Sequence, residues 1–217
     1  MDFQIMQEMV PQYMTALKVT VGLGASGIIL SFLLGFIIAI INYFQIPVLS
    51  KINQIYIELS RNTPLLIQIF FLYYGLPKLG IPIEKNLAGM IGLTFLGGSY
   101  MAEAFRGGFD SIPKSQIEIG QSLGFSRKQL AKEVILPQGL SLSVPSLGAN
   151  AIFLMKETSV FSAISIMDLT NVTKDLIGMY YMTREFLLML VISYALIILP
   201  MIALIYLFER RQKSVRL

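Results

Sequence analysis

Residues 19–44 read VTVGLGASGIILSFLLGFIIAIINYF, and they lie inside 32 consecutive uncharged residues between Lys18 and Lys51. A bilayer core is crossed by about 20 apolar residues in a helix, so this run predicts a transmembrane helix over 17–44. It is too long for the apolar core of a signal peptide, and no basic start followed by a small-residue cleavage site accompanies it, so it is expected to be retained. The rest of the chain agrees with that reading. Of 217 residues, 55% are apolar and 14% charged, and the mean hydropathy is +0.69. A water-soluble domain averages about 25% charged residues, so this chain lacks the polar surface to cover a globule in water.

Working outward, uncharged runs recur at Asn62–Pro77 (16 residues), Asn86–Ala102 (17), Val134–Met155 (22) and Phe186–Phe208 (23). Allowing boundary charges at their ends, the spacing predicts five spans at about 17–44, 57–78, 86–108, 132–156 and 185–208. The chain is thus expected to be an all-α integral membrane protein with a single transmembrane domain over 1–217. Five spans put the termini on opposite sides. The most basic stretch is 209–216, with Arg210, Arg211, Lys213 and Arg216, and the positive-inside rule places it in the cytoplasm with the N-terminus outside. With Arg61 and Arg106 assigned to membrane boundaries, nine Lys/Arg then fall inside and six outside.

Composition also removes function classes. The chain has no Cys and no His, so thiolate nucleophiles, histidine bases, disulfides and thiolate or imidazole metal sites are excluded. No catalytic residues and no metal site are expected. A net charge of +4 is mild for a nucleic-acid binder and is better read as topological bias. Gly22–Gly27 matches G-x-G-x-x-G, but a nucleotide loop needs a preceding strand and an acid about 20 positions on, and neither is present. The alternative is packing: Gly27, Ser31, Gly35 and Ala39 form a four-residue stripe that lets another helix approach closely.

Two connections are long, the cytoplasmic loop 109–137 and the external stretch 156–185, and these are expected to carry function. In the first, Pro113 precedes a short helix from Lys114 to Leu123 that Gly124 stops, and Ser126-Arg127-Lys128-Gln129 is a capping box that restarts a helix. Pro137 is expected to bend the start of the fourth span. The short helix has no Trp or Phe anchor before Phe125, which favours a protein partner over a lipid surface.

These residues carry a resemblance. Glu118-Ile119-Gly120, Gly124, nine intervening residues and Val134-Ile135-Leu136-Pro137 resemble the E-A-A-x-x-x-G-x9-I-x-L-P loop of type I ABC importer permeases, departing from it at Ile119, Gly120 and Val134. Arg61-Asn62-Thr63-Pro64-Leu65-Leu66-Ile67-Gln68, Glu103-Ala104-Phe105-Arg106-Gly107-Gly108, Ile112-Pro113-Lys114 and Lys156-Glu157-Thr158-Ser159 are similar to segments of the polar amino acid uptake branch. The resemblance covers roughly residues 15–210. It implies a multi-pass permease subunit in a bacterial plasma membrane, paired with a second copy or a sister permease, with ABC ATPase subunits and with an extracytoplasmic substrate-binding protein. ATP and Mg would belong to the ATPase, and the chain itself has no G-x-x-x-x-G-K-[ST] loop. Contact with the ATPase is expected at Ser115, Glu118, Ile119, Gly120, Leu123, Gly124 and Phe125.

An amino acid in a low-dielectric cavity needs donors for its carboxylate and an acid or carbonyls for its ammonium. The expected substrate residues are Arg61 and Thr63 for the carboxylate, and Glu58 or Glu157, with Ser159 beside it, for the cationic end. Glu58 and Arg61, three apart, can instead pair with each other, as can Glu103 and Arg106 at a span boundary. The competing class is a channel or proton-coupled carrier working without an ATPase. It would show a filter loop or a chain of intramembrane acids, and the charges here are scattered near span ends.

Overall fold

The computed structural model describes the backbone of residues 1–215 and the side chains of residues 1–210. The tail residues Arg211, Lys213 and Arg216, counted above in the cytoplasmic charge, lie outside the described side chains. The described residues form helices and no strand. The long helices are α1 (Phe3–Tyr43), α4 (Lys85–Asp110), α7 (Leu136–Glu157) and α9 (Thr183–Val215). Between them stand α2 (Pro47–Arg61), α3 (Leu65–Phe70), α5 (Lys114–Ser122), α6 (Arg127–Gln129) and α8 (Leu169–Tyr180).

Helix α4 is the hub, packed against α1 on one side and α7 on the other. Its contact face is made of small residues, with Gly89, Gly92, Gly97, Gly98, Ser99, Ala102 and Gly108 all buried. The four-residue stripe of α1 meets it: Gly27, Ser31, Gly35 and Ala39 are buried. A Cβ on Gly35 would come within 2.7 Å of the Ala102 backbone nitrogen, and one on Gly97 would collide with Ser31 Oγ. Ser31 Oγ donates to Gly27 O at 2.7 Å within its own helix, and Leu93 O of α4 stands 3.4 Å away. The crossing therefore has no room for one added carbon, which is how helices adhere where lipid removes the hydrophobic drive between them.

Helix α1 starts 14 residues before the expected span. At ~1.5 Å per residue its 41 residues reach about 60 Å, twice a hydrocarbon core. Asp2 caps the start, accepting from Gln4 N (3.0 Å) and Ile5 N (3.2 Å). The first four turns pack on α8 and α9 through Tyr13 and Ala16, beside Leu169, Leu176 and Phe186. Tyr13 Oη donates to Phe186 O at 3.0 Å and stands 2.8 Å from Thr173 Oγ1. Hydropathy found the lipid-facing part of α1 and missed the part stabilised by tertiary contacts.

The expected span 57–78 is two helical pieces. Asn62-Thr63-Pro64 separates α2 from α3, which continues through a π-helical segment, Phe71–Gly75, and a 3-10 turn, Leu76–Leu79. Pro64 has no N–H and disfavours helical geometry at Thr63. The carbonyls stranded by the break are satisfied from within: Gln68 Nε2 donates to Ser60 O and to Thr63 O, both at 3.0 Å. Two helices, Phe3–Tyr43 and Thr183–Arg210, are by themselves long and apolar enough to cross a membrane. Their outer faces carry exposed Ile29, Leu33, Ile37, Val191, Leu196 and Leu199.

In the stretch between α7 and α9, the buried Asp168 caps α8, accepting from Thr170 N (3.2 Å) and Asn171 N (3.0 Å). Burial pushes its carboxyl up to about 6 despite these bonds.

Two predictions follow from this packing. Gly35→Ala places a methyl group against backbone that cannot move away, so it should cost about 1–3 kcal/mol, seen as a lowered melting temperature in detergent. Gly178→Ala, on α8 with open space around it, should be neutral or slightly stabilising. Because the folded Asp168 holds its proton more tightly than the unfolded chain does, the stability from that proton is fully present below about pH 4 and is lost as pH rises through about 6. The melting temperature should fall between pH 5 and 7.5, and Asp168→Asn, which keeps an oxygen for the cap, should flatten that slope.

Candidate functional site

Docking of α2 on α4 adds Arg61 to three charges that α4 carries. Helix α2 lies along α4, held by Tyr56 Oη donating to Phe95 O (2.6 Å), Ser60 Oγ donating to the same carbonyl (2.8 Å) and Ser60 Oγ 3.0 Å from Ser99 Oγ. That docking sets Arg61 beside Glu103, with Nη1 to Oε2 at 3.5 Å. Glu103 also holds Arg106 in a two-pronged pair, Nε to Oε1 at 3.0 Å and Nη2 to Oε2 at 2.7 Å. Arg106 Nη1 reaches Asp110 Oδ2 at 2.9 Å. The result is an alternating chain, Arg61–Glu103–Arg106–Asp110, rather than the Glu58–Arg61 pair that sequence spacing offered. Spacing sees only neighbours on one helix, whereas α4 presents its own carboxylate to Arg61.

This chain borders an open cavity of about 780 Å³, walled also by Asn42, Gln45, Gln54 and Glu58. Arg61 stands with Cζ 5.0 Å from the centroid of the Tyr100 ring, a cation–π contact. Tyr100 in turn tilts against Phe153 of α7 at 5.1 Å between ring centroids, and Asn150 Nδ2 donates to Tyr100 O at 3.0 Å. Glu157 lies one helical turn beyond Phe153, on the same side of α7. Arg61 is therefore tied to α7 through two aromatic rings.

The other expected residues separate. Thr63 lines an apolar groove of about 580 Å³ with Leu59, Ile67, Gln68, Phe71 and Phe95, not the charged cavity. Ser159 lines a third, shallower groove of about 330 Å³ with Lys156 and Tyr194. Sequence reasoning missed Tyr100 and Phe153 and assigned Glu103 only to a boundary pair. The available signal was Tyr100 three residues before Glu103, and its partner on α7 could not be read from spacing.

The second candidate site is the loop after α4. Helix α5 runs Lys114–Ser122 and ends in a Schellman motif, with Phe125 N donating to Gly120 O (3.0 Å), Gly124 N donating to Gln121 O (2.9 Å) and Gly124 at φ +81°. Ser126 and Gln129 form the expected capping box. The restarted helix passes through a π-helical segment, Leu130–Ile135, directly before Pro137. That irregular turn absorbs the missing N–H that a proline brings. Gly120 is buried, and a Cβ there would stand 2.5 Å from Leu130 Cδ2, so a small residue at 120 lets α5 lie on the next helix. Ser115, Glu118, Ile119, Leu123 and Gly124 face outward and Phe125 is half-buried. Ile119 and Leu123 are 60% and 71% exposed, an apolar pair one turn apart on the outer side of α5 and its C-cap, while Ile117 and Gly120 pack the other side against the bundle.

A helical bundle with apolar outer faces, an open charged cavity and a short helix that turns an apolar pair outward has the build of a membrane transport component. Over residues 27–214 the chain matches the family described as binding-protein-dependent transport system inner membrane component. It is 37% identical over 171 residues to the probable amino-acid ABC transporter permease protein PatM of Vibrio harveyi, covering 77% of each chain. It is 28% identical over 214 residues to the glutamine transport system permease protein GlnP of Escherichia coli K12, covering 98% of each. Among solved structures, it superposes with a TM-score of 0.92 and 30% identity on an amino acid ABC transporter crystallised with histidines, covering 97% of this chain and 99% of that one. The MetNI methionine transporter shares the fold, with a TM-score of 0.71 at 18% identity over 93% of this chain and 98% of that one. The chain belongs to this family of inner membrane transport components, and its relatives are amino-acid ABC transporter permeases.

The loop geometry yields a stability contrast. Gly124→Ala forces a left-handed backbone on a residue with a Cβ and should cost about 1 kcal/mol, whereas Gly120→Ala meets only the movable end of Leu130 and gains helix propensity. Hydrogen exchange across 115–125 should accelerate severalfold in the first variant and change little in the second.

Proposed function

We propose that the chain is the permease subunit of an ATP-driven importer of amino acids. In this reading α1, α2 with α3, α4, α7 and α9 are the five spans, the N-terminus is outside, and the tail and loop 109–137 are in the cytoplasm. The partners are ABC ATPase subunits, which carry ATP and Mg, a second permease copy or a sister permease, and an extracytoplasmic substrate-binding protein. The observation that carries the reading is α5, whose outward Ile119 and Leu123 sit next to Glu118 and are left exposed by the described residues. A helix of this kind is a handle for a second protein. Movement of an ATPase pair gripping it would rock the spans and change the side to which the cavity opens.

The cavity supports an amino acid as cargo. Arg61 is positioned to receive a carboxylate, with Glu103 as the counter-ion it leaves in doing so. Glu58, on the cavity wall, and Glu157, one helical turn beyond Phe153 on α7, are the acids for an ammonium or a cationic side chain. Thr63 and Ser159 line separate grooves and contribute to the path only if the helices move.

The test is uptake by the assembled complex in liposomes, with ATP enclosed on the ATPase side and a radiolabelled amino acid on the other. Arg61→Ala and Glu157→Ala should each lower uptake at least tenfold while ATP hydrolysis persists. Deletion of Glu118–Gly124 should abolish stimulated hydrolysis and uptake together. Uptake that survives the deletion, or that proceeds without the ATPase, would refute the assignment.

A further inference from the structure

A separate groove lies on the outer face of the bundle, far along α1 from the charged cavity. It encloses about 490 Å³ between the N-terminal half of α1 and the start of α4, and its walls are Lys18, Gly22, Ser26, Lys85, Asn86 and Met167, with Val19 and Leu23 at the floor. No acid lines it among the described residues. Lys85 is held in place by donating to Ser165 O at 2.9 Å. Of the neighbouring carboxylates, Glu84 is turned to cap α4, accepting from Leu87 N at 3.1 Å, and Asp168, next to Met167, is buried and caps α8. Lys18 and Lys85 therefore line the groove near the positive end of the α4 dipole, with no carboxylate among its lining residues.

Below the rim the chemistry changes. Lys18, Gly22, Ser26, Ile29 and Leu33 follow one another at helical spacing, and Ile29 and Leu33 are exposed. Gly22 has open space where a Cβ would be, so it notches the helix surface, and Ser26 turns its hydroxyl inward to Gly22 O at 2.8 Å. Lys18 and Lys85 also flank the first and third hydrophobic runs at one end, which sets both at headgroup depth. One leaflet is about 15 Å deep, some ten residues of helix, the distance from Lys18 to Ile28 or Ile29.

We infer that this groove binds one anionic phospholipid, its phosphate between Lys18 and Lys85 and an acyl chain along Gly22, Ser26 and Ile29. A zwitterionic headgroup would bring its own cation to two lysines. A soluble acidic partner would satisfy the rim and leave the apolar descent unused. The inference needs only that the chain is membrane-embedded and is independent of which solute it moves.

The test uses the complete transporter, stripped of lipid in detergent. Dioleoylphosphatidylglycerol should raise the melting temperature saturably, with one molecule retained per permease copy in native mass spectrometry. Dioleoylphosphatidylcholine should do so at least tenfold more weakly, and inorganic phosphate should neither stabilise nor compete. Lys18→Glu should reduce phosphatidylglycerol retention at least tenfold without changing the lipid-free melting temperature, and Gly22→Leu should reduce it by filling the notch. Lys85→Ala also removes the bond to Ser165, so Lys18→Glu is the deciding variant. Equal retention of the two lipids, competition by phosphate alone, or unaltered binding in Lys18→Glu would overturn the site.

Discussion

The structure depends on how closely α1 and α4 approach. Helices in lipid gain nothing by hiding apolar surface from hydrocarbon, so what holds them is dispersion at short range and the few polar bonds that short range allows. Here the approach is set by Gly27, Ser31, Gly35 and Ala39 on one side and by Gly97, Gly98 and Ala102 on the other. The same glycine-rich α4 receives α2 through Ser60 and Ser99, and α7 where Gly108 and Gly139 meet Ser143 and Phe109. One helix thus fixes the position of three others.

That arrangement has an electrostatic consequence. A guanidinium or carboxylate taken from water alone is costly, and alternating pairs lower the cost. Because α4 carries Glu103, Arg106 and Asp110 on successive turns of one face, and α2 is docked against it, Arg61 joins a chain in which each charge has an opposite neighbour. The Tyr100 face adds a second partner for Arg61 and ties it to α7. In the proposed role, a ligand carboxylate would exchange with Glu103 at Arg61 instead of meeting a cation that must first be desolvated.

The loop that carries α5 shows a different economy. Its backbone is closed by its own residues, through the Schellman motif at Gly124 and the capping box at Ser126, so its exposed apolar pair is not needed for its folding. Packing of Gly120 on Leu130 couples α5 to the irregular turn before α7. A displacement of α5 would thereby reach α7, whose Phe153 meets Tyr100, the ring beside Arg61.

Local features were legible from the chain alone, since they depend on residues a few positions apart: the apolar run 19–44, the small-residue stripe of α1, the stop at Gly124, the capping box, and the family-like loop. Tertiary contacts decided the rest. The N-terminal turns of α1 lie outside the long uncharged run and are helical because Tyr13 and Ala16 pack on α8 and α9. Thr63-Pro64 marks a helix start or kink in the sequence itself, but that Gln68 satisfies the stranded carbonyls of Ser60 and Thr63 is set by the fold. The partner of Arg61 is Glu103, 42 residues away and not three, because charge pairing depends on distance in space, which only the docking of α2 on α4 sets.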